Sequence, residues 1–172
     1  MPCGLPKRGA ARLTSPRDEA AGVRLVRDFA LDGDAAAGRV RLVCTQSIEN
    51  ISTGTLEVCH WGRSFSPGGG ICVIPLGDRP SRFPARYAMY EDSAIINVRN
   101  HDERIRVRDG FLEILGPPRR PKLGFDTYAG WLAYLMPGGR AFVKRFATYP
   151  DRVYNEAAGL TLSVWYPEGP QI

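Results

Sequence analysis

From Val40 to Glu49 the sequence alternates. Val40, Leu42, Cys44, Gln46 and Ile48 fall on one parity, with Arg41, Val43, Thr45, Ser47 and Glu49 on the other. Successive side chains of an extended chain point to opposite faces, so this period of two specifies a long strand with one more apolar side, and it cannot be folded as an amphipathic helix. The same period precedes it in Val23, Leu25, Phe29 and Leu31, interrupted by Arg27, with Asp32-Gly33-Asp34 predicted as the turn between the two strands. Asn50-Ile51-Ser52-Thr53-Gly54 closes the second strand. Asn50-Ile51-Ser52 also matches a glycosylation sequon, which reads here as a turn.

The rest of the chain is cut into short apolar runs by glycine and proline, 19 and 14 residues respectively, which makes it rich in turns but not of low complexity. Leu56–Phe65 is expected as a third strand, Pro67-Gly68-Gly69-Gly70 as a loop and Ile71–Leu76 as a buried strand. Tyr87–Tyr90, Ala94–Val98 and Phe111–Leu115 follow as short strands. Trp131–Leu135 and Ala141–Phe146 flank the turn Pro137-Gly138-Gly139, and Leu160–Tyr166 is the last strand. No segment has a capped helical stripe, and Ser15–Ala21 has room for one turn only. Short strands joined by Gly/Pro turns predict an all-β, antiparallel β-sandwich. At 172 residues one domain is expected over residues 13–172, with residues 1–12 as an irregular extension.

The net charge is +5, but only three of the 23 basic residues are lysines, a bias that coding composition explains. The densest basic stretch, Arg99 to Lys122, also contains Asp102, Glu103, Asp109 and Glu113, so it reads as a solvated mixed face and no nucleic-acid partner is expected. Cys3, Cys44, Cys59 and Cys72 form no CxxC pair, so no metal site is predicted and they read as free thiols, those in apolar runs buried. No apolar run is long enough for a membrane-spanning helix and residues 1–11 lack the apolar core of a signal peptide, which leaves the compartment open and implies no membrane partner. Gly68-Gly69-Gly70 lacks the lysine and helix of a phosphate-binding loop.

Four stretches carry a family resemblance: Cys59-His60-Trp61 after the Ile48–Ser52 turn; Phe111–Pro117; Gly130–Leu135 with Phe142–Phe146; and Tyr149-Pro150 leading to Asn155-Glu156 and the final strand. Together they resemble the bacterial DUF4380 proteins, a domain of unknown function similar to the galactose mutarotase-like supersandwich. The resemblance implies that this β-sandwich is part of such a supersandwich, truncated at both ends, and that its ligand is a carbohydrate. No cofactor is implied.

Mutarotases open a sugar hemiacetal with a carboxylate base and a histidine acid, because one proton must reach the ring oxygen as another leaves the anomeric hydroxyl. His60 is the acid–base candidate suggested by that resemblance, with Lys144 and Glu156 added from their own positions. Lys144 is drawn from its strand: it shares parity with Phe142 and Phe146, so it either snorkels or reaches into a site. The second histidine, His101, lies in a polar loop. Aromatic rings stack on sugar C–H faces while polar groups bond the hydroxyls, which gives Trp61, Arg63, Tyr90, Trp131, Arg145, Tyr149 and Asn155 as ligand-contact candidates. Three functions follow: a carbohydrate-binding sandwich without a complete catalytic pair, an aldose epimerase-like enzyme, and a non-catalytic structural or interaction module.

Overall fold

In the computed structural model, residues 9–34, 36–37, 39–91, 95–97, 101–154, 156 and 159–166 are described. The alternation becomes antiparallel pairing throughout, and no α-helix occurs among these residues. The contacts gather into two compact units, Met1–Gly62 and Arg63–Ile172.

The first unit is a three-stranded sheet in the order β1 (Ala10–Thr14), β2 (Val23–Asp34) and β3 (Arg39–Asn50). Residues directly opposite one another in an antiparallel pair project to the same side. On one side Leu25 faces Ile48, Phe29 faces Cys44 and Leu31 faces Leu42. On the other, direct partners form ion pairs: Arg12 with Asp28 at 2.6 Å, Arg24 with Glu49 at 2.5 Å, and Arg41 with Asp32. Val26 is the one buried apolar side chain among the described residues of this unit. The ladder, more than a core, holds these strands together.

The second unit has two sheets. One has the order β11 (Arg140–Arg145), β10 (Trp131–Met136), β4 (Ile71–Pro75), β8 (Phe111–Ile114), β7 (Ile105–Arg108). The other has the order β12 (Leu162–Trp165), β9 (Lys122–Phe125), β5 (Ala88–Glu91), β6 (Ile95–Asn97). Cys72, Ile74, Leu112, Ile114 and Tyr134 of the five-stranded sheet share one core cluster with Met89, Leu123 and Phe125 of the four-stranded sheet. Two antiparallel sheets with their apolar faces in a common core make a β-sandwich. Each fully buried side chain of this size contributes about 1.5–3 kcal/mol relative to exposure.

The structure corrects several expectations. Residues 10–12 belong to β1, paired with Asp28–Ala30, because backbone bonding to a long neighbour needs no apolar signature. Asp32-Gly33-Asp34 continues β2, and the turn comes later, where Asp34 Oδ1 accepts from the Ala36 and Ala37 N–H groups at 2.9 and 3.2 Å. Leu56–Phe65 forms no strand, and Val58, Trp61 and Phe65 are exposed. Alternation makes a strand only where a sheet edge receives it. Of the thiols, Cys72 is buried, whereas Cys44 and Cys59 are free but exposed.

Strands β7 and β9 were not expected. β7 is joined to β8 by Asp109-Gly110, whose φ angles of 52° and 79° give the two left-handed positions of a tight hairpin turn. Gly70 is held by close approach instead. Its N–H donates to the Tyr134 hydroxyl at 2.9 Å, that hydroxyl donates to Pro67 O at 2.8 Å, and a Cβ on Gly70 would lie 2.3 Å from Leu135 O. Thermal or urea denaturation of Leu112→Ala is expected to show a loss of about 3 kcal/mol from the cavity left between the sheets. Gly70→Ala is expected to cost about 1–3 kcal/mol, since backbone must move to admit one methyl group.

Candidate functional site

The outer face of the four-stranded sheet is set by what the inner face buries. Leu123, Phe125 and Met89 point into the core, so their neighbours Lys122, Gly124, Ala88 and Tyr90 take the opposite side, where Phe83 and Leu160 bury Ala88 and Tyr90 and leave Lys122 partly open. Ala88 pairs with Gly124 and Met89 with Leu123, and one step further the same register sets Tyr90 opposite Lys122. On the other side of β9, Trp165 pairs with Lys122 and Ser163 with Gly124. Tyr90, Lys122 and Trp165 thus form one row across β5, β9 and β12.

Glu156 closes over that row. Tyr90 Oη donates to Glu156 Oε1 at 2.7 Å, Lys122 Nζ donates to the same oxygen at 3.3 Å, and Lys122 Nζ stands 3.8 Å from the centre of the Tyr90 ring. Lys122 and Glu156 are 23% and 29% exposed, so water and small solutes reach both. The bond from Tyr90, followed by the charge of Lys122, holds the Glu156 carboxyl below its usual range against the opposing effect of burial. Burial, followed by the bond to Glu156, pushes the Tyr90 phenol up. The carboxylate is a fixed anion, the phenol stays protonated, and the Trp165 indole is 53% exposed beside them.

The other predicted residues lie elsewhere. His60 and Trp61 belong to the first unit, where both are exposed and His60 Nε2 lies 3.0 Å from Gln46 Oε1. Arg63 is exposed at the start of the second unit. Lys144 is on β11 of the five-stranded sheet, half-buried on the Phe142 side, and its Nζ donates to Ser64 Oγ at 3.1 Å. Arg145 points to the opposite side, across from Trp131, whose ring is 6.0 Å from that of Phe111. Tyr149 is exposed, with the Arg152 guanidinium 5.6 Å from its ring centre. Asn155 lies outside the described residues. Of the predicted set, the structure brings Tyr90 and Glu156 together, while Lys144 and Glu156 are associated with different sheets.

No protein-family model, curated protein or solved structure matches the chain.

Among the described residues no group of three or more His, Cys, Asp or Glu side chains is placed to hold a metal ion. His101 and Asp102 border a shallow hollow beside Tyr87 and Ile105. Asp102 there is occupied in structure, its two oxygens accepting the Arg104 and Arg119 backbone N–H groups at 2.9 and 3.0 Å. Sequence reasoning missed Lys122 and Trp165. Pro121 and Asp126 bracket a four-residue run too short to show a period, and Trp165 carries no signal beyond its place in the last strand.

Glu156→Gln is expected to lower stability by about 1 kcal/mol at pH 7, a charge-assisted pair discounted for its partial exposure. A carboxyl held low when folded contributes fully above the unfolded value near 4.5 and loses that contribution as pH falls through its folded value. Thermal denaturation against pH should therefore show a constant gap between wild type and variant above pH 4.5, narrowing in more acid solution.

Proposed function

We propose that the chain is a carbohydrate-binding β-sandwich of the mutarotase-like kind, holding a sugar against the outer face of its four-stranded sheet. The observation that carries this reading is the Tyr90–Lys122–Trp165 row with Glu156 above it. A sugar needs an apolar ring to cover its C–H face and acceptors and donors for its hydroxyls. The exposed Trp165 indole supplies the first, the Glu156 carboxylate accepts, and the Lys122 ammonium donates. The resemblance to DUF4380 proteins, and to the supersandwich of which this sandwich would form part, supports the same ligand class.

Binding is favoured over epimerisation by the state of the groups that meet. Acid–base catalysis at a hemiacetal works best with groups titrating near the working pH. Here Glu156 is moved below its usual range and Tyr90 above its own.

Amide chemical-shift titration with glucose, galactose and their disaccharides tests the proposal. Millimolar binding is expected, with perturbations at β9 and β12, and Trp165→Ala should weaken it roughly five- to tenfold through loss of the stacking face. No perturbation by any of these sugars would overturn the carbohydrate reading. Acceleration of glucose or galactose mutarotation by polarimetry, abolished in Glu156→Gln, would replace binding by the epimerase alternative.

A further inference from the structure

The free edge of β3 is the longest of the described sheets, twelve residues against six or fewer in β1, β6, β7, β11 and β12. β3 runs from Arg39 to Asn50, and among the described residues it pairs with β2 alone. Residues 41–47 are all exposed. Ile51 N–H donates to Gly22 O at 2.9 Å, which fixes the phase of the ladder: odd residues of β3 bond towards β2, and Leu42, Cys44, Gln46 and Ile48 present their N–H and C=O groups outward. Folded chains blunt such edges with charge, proline or inward-pointing lysine. β11 carries Arg140, Lys144 and Arg145, with Lys144 turned inward, and β7 carries Arg106 and Arg108. β3 has no proline or lysine, and its outward-bonding residues from Leu42 to Ile48 are uncharged.

We propose that β3 pairs antiparallel with β3 of a second copy about a two-fold axis at Thr45, forming a continuous six-stranded sheet. Complementarity selects this register. Arg41 falls opposite Glu49 of the second copy and Leu42 opposite Ile48 of the second copy, twice over by symmetry. Because Arg41 already pairs with Asp32 and Glu49 with Arg24, the charged side acquires a row of alternating sign: Asp32, Arg41, then Glu49 and Arg24 of the second copy. The other side acquires a row of Leu31, Leu42, then Ile48 and Leu25 of the second copy. Sliding by one face-preserving step in one direction puts Val43 across from Glu49; in the other it puts Arg39 across from Glu49 but leaves Arg41 facing Ser47 and Leu42 facing Gln46. A two-fold contact of this kind closes on itself.

The axis falls on a non-hydrogen-bonded pair, where Cα atoms are about 4.5 Å apart, a separation a disulfide spans. In a background with Cys3, Cys44 and Cys59 replaced by serine, Thr45→Cys should oxidise to a covalent dimer. Ser47→Cys, about 13 Å from its symmetry mate, should not. Light scattering of the unmodified chain at roughly 50 μM should report twice the 19.0 kDa chain mass. Cys44→Pro removes an outward N–H without touching the β2 ladder and should weaken dimerisation tenfold or more, to about the monomer mass at that concentration. A monomer throughout, or cross-linking that does not favour position 45 over 47, overturns the proposal. The cross-linking comparison decides it even should the proline variant fail to fold.

Discussion

The second unit depends on the burial of two inner faces against each other. Ile74, Leu112 and Ile114 from one sheet and Leu123 and Phe125 from the other are completely removed from water. Because strand side chains alternate, that burial also dictates what the outer faces display. Once Leu123 and Phe125 are committed inward, Lys122 has no choice but to stand on the outside beside Tyr90 and Trp165. The candidate site is the reverse side of the core, and its geometry is as fixed as the packing beneath it. The short second cluster of Phe83, Ala88, Tyr90 and Leu160 then anchors the Tyr90 ring from the outer side.

Charge follows the same logic in both sheets. On β8, Leu112 and Ile114 go to the core and Glu113 goes out, where it is nearly buried by Arg106 and Arg108 of the neighbouring strand. Arg106 is its direct cross-strand partner, and the bond to it holds the Glu113 carboxyl below its usual range. Glu156 is similar in its ionisation but not in its setting. Its partners come from β5 and β9, and it remains 29% exposed.

Long alternating segments were legible in the sequence because period two is unambiguous over many residues. β2, β3, β4, β8 and the β10–β11 hairpin all lie where alternation or turn chemistry placed them. The misses have local causes. Lys122–Phe125 is too brief to display a period, and Ile105–Arg108 is masked by arginines even though Asp109-Gly110 is a hairpin-turn signal between β7 and β8. Leu56–Phe65 has the pattern but enters no ladder. For the site, Tyr90 and Glu156 could be named separately, but nothing local joins residues 66 positions apart: the β5–β9 register sets Tyr90 beside Lys122, and Glu156 bonds to both from outside those strands. His60 and Lys144 stand out by the chemistry of their own segments, which carries no information about which sheet a side chain will serve.

The first unit reaches stability by a different route from the second. With Val26 as its one described buried apolar side chain, it leans on a long backbone ladder and three cross-strand ion pairs, each worth about 0.2–1 kcal/mol when exposed. Added salt screens such pairs over distances beyond a few ångströms but leaves apolar burial intact. Ionic strength therefore weakens a larger share of what holds the first unit than of what holds the second, whose ion pairs at Glu113 and Glu156 are added to a buried core.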